Sequence, residues 1–83
     1  MKKKEEKTDM SEFTLIVGKR IRKARKAKNL TLEELAERCG LHPAYIGQLE
    51  RGVKNASLYT LEKIACALEL SLTDLVGNSD IVT

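Results

Sequence analysis

Cys39, His42 and Cys66 are the side chains of this 83-residue chain best suited to covalent or metal chemistry, and their pattern supports neither. Cys39-x-x-His42 with Cys66 supplies three ligands where a structural zinc takes four, and Cys39 falls among small core positions, so no metal and no cofactor is expected. Catalysis needs a nucleophile or acid–base group beside an orienting partner, and one histidine and two cysteines on separate short helices do not provide it. The chain is not read as an enzyme. What remains is the gripping of an anionic partner. Residues 19–28 hold seven Lys or Arg and no acid, an arrangement that repels itself unless a partner or solvent screens it.

The charge is divided along the chain. Residues 1–54 carry 14 Lys/Arg against 8 Asp/Glu, and residues 55–83 carry 1 against 4, so the parts hold +6 and −3 of a net +3. A basic part joined to an acidic one fits a protein that turns one surface to a polyanion, although a solvated, uneven surface has the same composition. No apolar run approaches the roughly 18 residues of a membrane span, and the Lys-rich start has no signal-peptide core. A cytoplasmic location without membrane contact is expected. Two unpatterned cysteines do not make a disulfide framework.

The elements that must position these charges are helices. Thr31 and Glu34 form a capping box, Leu35, Ala36 and Cys39 share a face, and Gly40 ends that helix. Pro43 suits the first position of the next helix, with His42 ahead of it as a weak cap. There Ile46, Leu49 and Glu50 face inward, whereas Pro43, Ala44, Gly47, Gln48 and Arg51 make an outer face with no large apolar side chain. Ahead of Thr31, Phe13, Ile16, Val17, Ile21 and Ala24 line one side of a helix that Ser11 or Asp9 could cap. Lys19, Arg22, Lys23 and Lys26 line the opposite side. After Gly52, Ser57 caps a helix with the stripe Leu58, Leu61, Ile64, Ala65 and Leu68. Ser71 with Asp74 caps a last short one carrying Leu72, Leu75 and Val76. No strand is expected. Residues 1–10 read as a flexible charged extension, 11–77 as one folded domain and 78–83 as a tail.

The string LTLEELAERCGLHPAYIGQLERG resembles the helix-turn-helix of the phage repressor and Cro family, and residues 17–76 are similar to that family's five-helix domain. Within the family, G-L-H-x-x-Y-I-x-x-x-E-R-G-x-x-N most resembles restriction–modification controller proteins. The resemblance implies an all-α, lambda repressor-like fold and a transcription regulator that binds double-stranded DNA as a homodimer, with helix 43–51 in the major groove. It implies base reading by Gln48, Ala44, Pro43 and Gly47, and phosphate contacts from Thr31, Leu32, Tyr45, Arg51, Lys54 and Asn55. It also implies an ion pair between Arg25 and Glu50. Pro43 stands where controller proteins often have arginine, and neither Pro43 nor Ala44 can form two-point hydrogen bonds. Direct readout then rests on Gln48, which can pair with adenine. The acidic C-terminal third, with Leu75, Val76, Ile81 and Val82, is the expected dimer interface. The competing reading is a module that binds a partner protein, such as an antitoxin-like subunit.

Overall fold

The structure, a computed structural model, describes residues 2–77, with side chains from residue 12 onward. Five helices follow in order: α1 (Lys2–Ala27), α2 (Leu32–Cys39), α3 (Pro43–Glu50), α4 (Leu58–Ala67) and α5 (Leu72–Val76). No strand occurs among the described residues. Helix α1 continues ahead of the start expected at Glu12, into the stretch read as a flexible extension. Its Lys, Glu and Met residues are straight-chain helix formers, and no glycine or proline interrupts it before Gly18.

Local signals set most of the other ends. The Thr31 hydroxyl accepts from the Glu34 amide at 3.0 Å, and the Glu34 carboxylate accepts from the Thr31 amide at 2.8 Å. Gly40 closes α2 at φ 71, in the left-handed region. Ser57 caps α4, and Ser71 with Asp74 closes a second capping box on α5. The backbone N–H and then the hydroxyl of Ser71 hold the Asp74 carboxyl below its ordinary range. Helices α1 and α4 end alike. Asn29 and Glu69 take φ 58 and 61, and the next amide, Leu30 or Leu70, reaches back to Arg25 O or Ala65 O. Lys28 and Glu69 join the two turns at 2.7 Å, and that hydrogen bond pulls the Glu69 carboxyl down.

Every helix contributes to one core, whose fully buried large side chains are Ile21, Leu35, Ile46, Ile64, Leu68 and Leu75. Leu75 thereby leaves the expected dimer interface: it is 0% exposed within its own protomer and presents nothing to a second copy. Val76 packs partly buried against the same core, and Ile81 and Val82 lie outside the described residues. Leu58, expected inward, is 67% exposed, because as the first residue of α4 it precedes the turn at which Leu61 and Ile64 begin the buried stripe. Phe13 and Ile16 also stay largely exposed.

Helix α1 is held at both flanks. On one side Gly18 lies against the last turn of α3, where an added Cβ would overlap the Leu49 carbonyl oxygen and stand 2.7 Å from that of Glu50. Gly52, at φ 76, packs equally closely on Leu15. On the other side the Arg20 guanidinium donates to the carbonyls of Leu75, at 3.1 Å, and Gly77, capping α5. Arg20 is therefore a structural member of the basic run.

Candidate nucleic-acid interface

Helices α2 and α3 are joined by the Gly40 turn, so the short α3 is carried on α2 with Ile46 and Leu49 buried beneath it. His42 occupies the capping position of α3 without a side-chain hydrogen bond. The outer face of α3 presents Ala44 exposed and Pro43 and Gln48 half-buried. Gly47 does not belong with them. It is buried, and a Cβ there would meet Arg51 Nη1 at 3.4 Å and Leu32 Cδ1 at 3.6 Å, so it serves the contact between the two helices.

Behind α3 the structure brings Arg25 and Glu50 together. Arg25 Nε donates to Glu50 Oε2 at 2.6 Å and Nη2 to Oε1 at 3.0 Å, a two-point pairing, while Nη1 donates to the Leu30 carbonyl at 2.8 Å. Both residues are buried, at 8% and 6% exposure. The bond to Glu50 pushes the Arg25 guanidinium above its ordinary value, against the opposing effect of burial. This pairing ties the end of α3 to α1 and to the start of α2. No buried side-chain nitrogen or oxygen lacks a partner among the described residues.

Arg51, Lys54 and Asn55 are exposed on the segment that leaves α3. The Asn55 side-chain carbonyl accepts from the Thr14 hydroxyl of α1 at 2.8 Å. The Tyr45 hydroxyl points at the Asn55 main-chain carbonyl, a long 3.5 Å contact, with its ring half-buried against the core. At the start of α2, Thr31 is a poorer phosphate donor than expected, because its amide is already bonded to Glu34. The Leu32 amide is not used by that capping box, yet Glu33 and Glu34 place two carboxylates in the same turn. Sequence reasoning missed Thr14: a lone threonine on a helix carries no signal for a contact 41 residues away. Lys19, Arg22, Lys23 and Lys26 remain exposed on the outside of α1, whereas Arg25 and Lys28 are engaged in ion pairs.

Neither cysteine marks a second site. Cys39 is buried, with its thiol pushed up by desolvation, and Cys66 is exposed. Among the described residues, no three His, Cys, Asp or Glu side chains gather as metal ligands, and no helix is long and apolar enough to cross a membrane.

A helix-turn-helix family model matches residues 21–75. The control protein C.BamHI of Bacillus amyloliquefaciens is 43% identical over 67 residues, covering 80% of this chain and 83% of that protein. Among solved structures, the restriction–modification controller C.AhdI of Aeromonas hydrophila aligns with a TM-score of 0.73 and 40% identity, covering 75% of this chain and 94% of that one. SinR, a master regulator for biofilm formation, has been solved in complex with DNA. It aligns with a TM-score of 0.68 and 38% identity, covering 71% and 95% of the two chains. A SinR–SinI protein complex aligns at 0.73 with 34% identity, covering 81% and 66%.

Proposed function

Because the chain belongs to the helix-turn-helix family, we propose that it is a transcription regulator that binds duplex DNA in the cytoplasm as a homodimer, with α3 in the major groove. It is no enzyme. The observation that carries this reading is the outer face of α3, small and polar at Ala44 and Gln48, with Arg51, Lys54 and Asn55 exposed beside it. Such a face fits a groove closely, and cations at its end reach the phosphates. Gln48 offers the one amide there, suited to adenine N6 and N7, and Ala44 and Pro43 offer apolar contact to a thymine methyl.

Reading and holding separate in two variants. Gln48→Ala is expected to cost about 1–3 kcal/mol on a preferred site and little on random duplex, narrowing the gap between them. Lys54→Ala weakens both alike and reduces the salt slope by about one. Binding titrations on both duplexes at two salt concentrations check this. An unchanged specificity ratio for Gln48→Ala removes direct readout through that residue.

With Leu75 inside the core, the most exposed large apolar side chains among the described residues are Tyr59, Leu58 and Val53, at 69%, 67% and 63%. Val53 lies just after α3, and Leu58 and Tyr59 open α4; a two-fold dimer on DNA requires its two recognition helices roughly 34–36 Å apart, one DNA turn. Leu58→Asp is expected to shift sedimentation from dimer to monomer while leaving the melting temperature of the protomer within about 2–4 °C, since surface substitutions usually stay within about 0.5 kcal/mol. A parent that sediments only as monomer at tens of micromolar, with and without DNA, refutes the homodimer.

The same exposed set supports the second reading, a partner protein, as SinR is found with SinI. Salt separates the two. A DNA binder loses affinity for random duplex steeply as salt rises, whereas a module for a partner protein binds that duplex weakly at either concentration.

A further inference from the structure

Asn55 stands at the tip of the segment joining α3 to α4, between Lys54 and the start of α4, and its side chain does not hang free. Its carbonyl oxygen is taken by the Thr14 hydroxyl at 2.8 Å, across from α1. A carboxamide has one acceptor end and one donor end, so a partner that donates to the oxygen turns the NH2 group the other way. Asn55 and its chain neighbour Lys54 are both exposed residues. An unaligned amide would present oxygen to phosphate as readily as nitrogen, and oxygen is repelled.

We propose that Thr14 is a positioning residue for DNA binding: by donating to Asn55 Oδ1 it fixes the Asn55 amide with its NH2 group toward the phosphate backbone. This rests on the DNA-binding reading above and adds to it a residue outside the helix-turn-helix. The bond also explains why the segment keeps its place. It joins the N-terminal part of α1, which Gly18 and Gly52 already bring against the end of α3, to the loop that leaves α3. Helix α1 is thus a brace for the phosphate contact as well as a wall of the core.

The test uses the full chain, a random-sequence duplex and two salt concentrations. Thr14→Val keeps the shape of the side chain and removes the hydroxyl. It is expected to weaken binding about fivefold to tenfold, the scale of one ordinary hydrogen bond. The slope of affinity against salt stays as in the parent, because Asn55 is neutral and releases no counterion. Thr14→Ser restores binding. Asn55→Ala weakens binding similarly, and the double variant Thr14→Val/Asn55→Ala is no weaker than Asn55→Ala alone, since Thr14 acts only through the amide. Melting temperature, read alongside, separates positioning from loss of fold. Parent-like binding by Thr14→Val, or penalties that add fully in the double variant, overturns the inference while leaving DNA binding intact. Failure of the parent itself to bind the duplex overturns both.

Discussion

Gly18→Ala is expected to lower the melting temperature by roughly 12–24 °C, corresponding to about 3 kcal/mol in a domain of this size. The added methyl has nowhere to go. It would overlap the Leu49 carbonyl oxygen and press on that of Glu50, and both are backbone atoms of the turn that holds Arg51 and leads to Lys54. Flexible side chains yield to such an intrusion, but here α1 must move away from α3, and the Arg25–Glu50 pairing across the same contact is stretched with it. Gly40→Ala is the internal comparison. Its Cβ meets nothing within 4 Å, so it suffers only the left-handed backbone at φ 71, about 1–2 kcal/mol. Thermal unfolding of both variants by circular dichroism checks the order. A Gly18→Ala protein melting within a few degrees of the parent rules out close backbone contact between α1 and α3.

Arg25→Ala is expected to destabilise the fold by about 3–5 kcal/mol, because it strands the buried Glu50 carboxylate and frees the Leu30 carbonyl. Lys23→Ala, two residues away in the same basic run but exposed, stays within about 0.5 kcal/mol of the parent. The pair need not be strongly stabilising overall, since ordering and desolvating two charges costs much of what their attraction returns. Replacing both partners with apolar groups of similar size, Arg25→Met with Glu50→Leu, therefore recovers much of the loss. Denaturant unfolding of the three proteins measures this, and equal midpoints for Arg25→Ala and Lys23→Ala would dismiss the ion pair as a determinant of stability.

The all-α fold was legible because its signals are local. Thr31, Gly40, Pro43, Ser57 and Ser71 act on their own turn of chain, and the four helices after α1 follow from them. The side chains that connect helices were harder to read. Arg20 belongs by spacing to a basic face, yet it caps a helix more than 50 residues on, a contact no periodicity encodes. Gly47 shares the outer side of α3 on a helical wheel, but a wheel does not show Leu32 of the neighbouring helix closing over it. The burial of Leu75 and the exposure of Leu58 depart from expectation for related reasons. A short terminal helix looks unpartnered in sequence, and the first residue after a cap looks like part of the stripe that starts one turn later. In the site, the small outer face of α3 follows from composition alone. The Thr14–Asn55 bond depends on how α1 crosses α3 and leaves no trace in either segment.

The burial of Leu75 bears on dose. The core of the protomer is filled by its own side chains, and no buried polar side chain is left unpartnered among the described residues, so a protomer that folds alone would pair in a separate, concentration-dependent step. Under the homodimer reading, paired molecules are scarce while protein is scarce and rise with the square of its amount. Occupancy of a two-fold operator then climbs more steeply than synthesis does, and a regulator present in small quantity acts as a delay, silent at first and engaged once enough copies have accumulated.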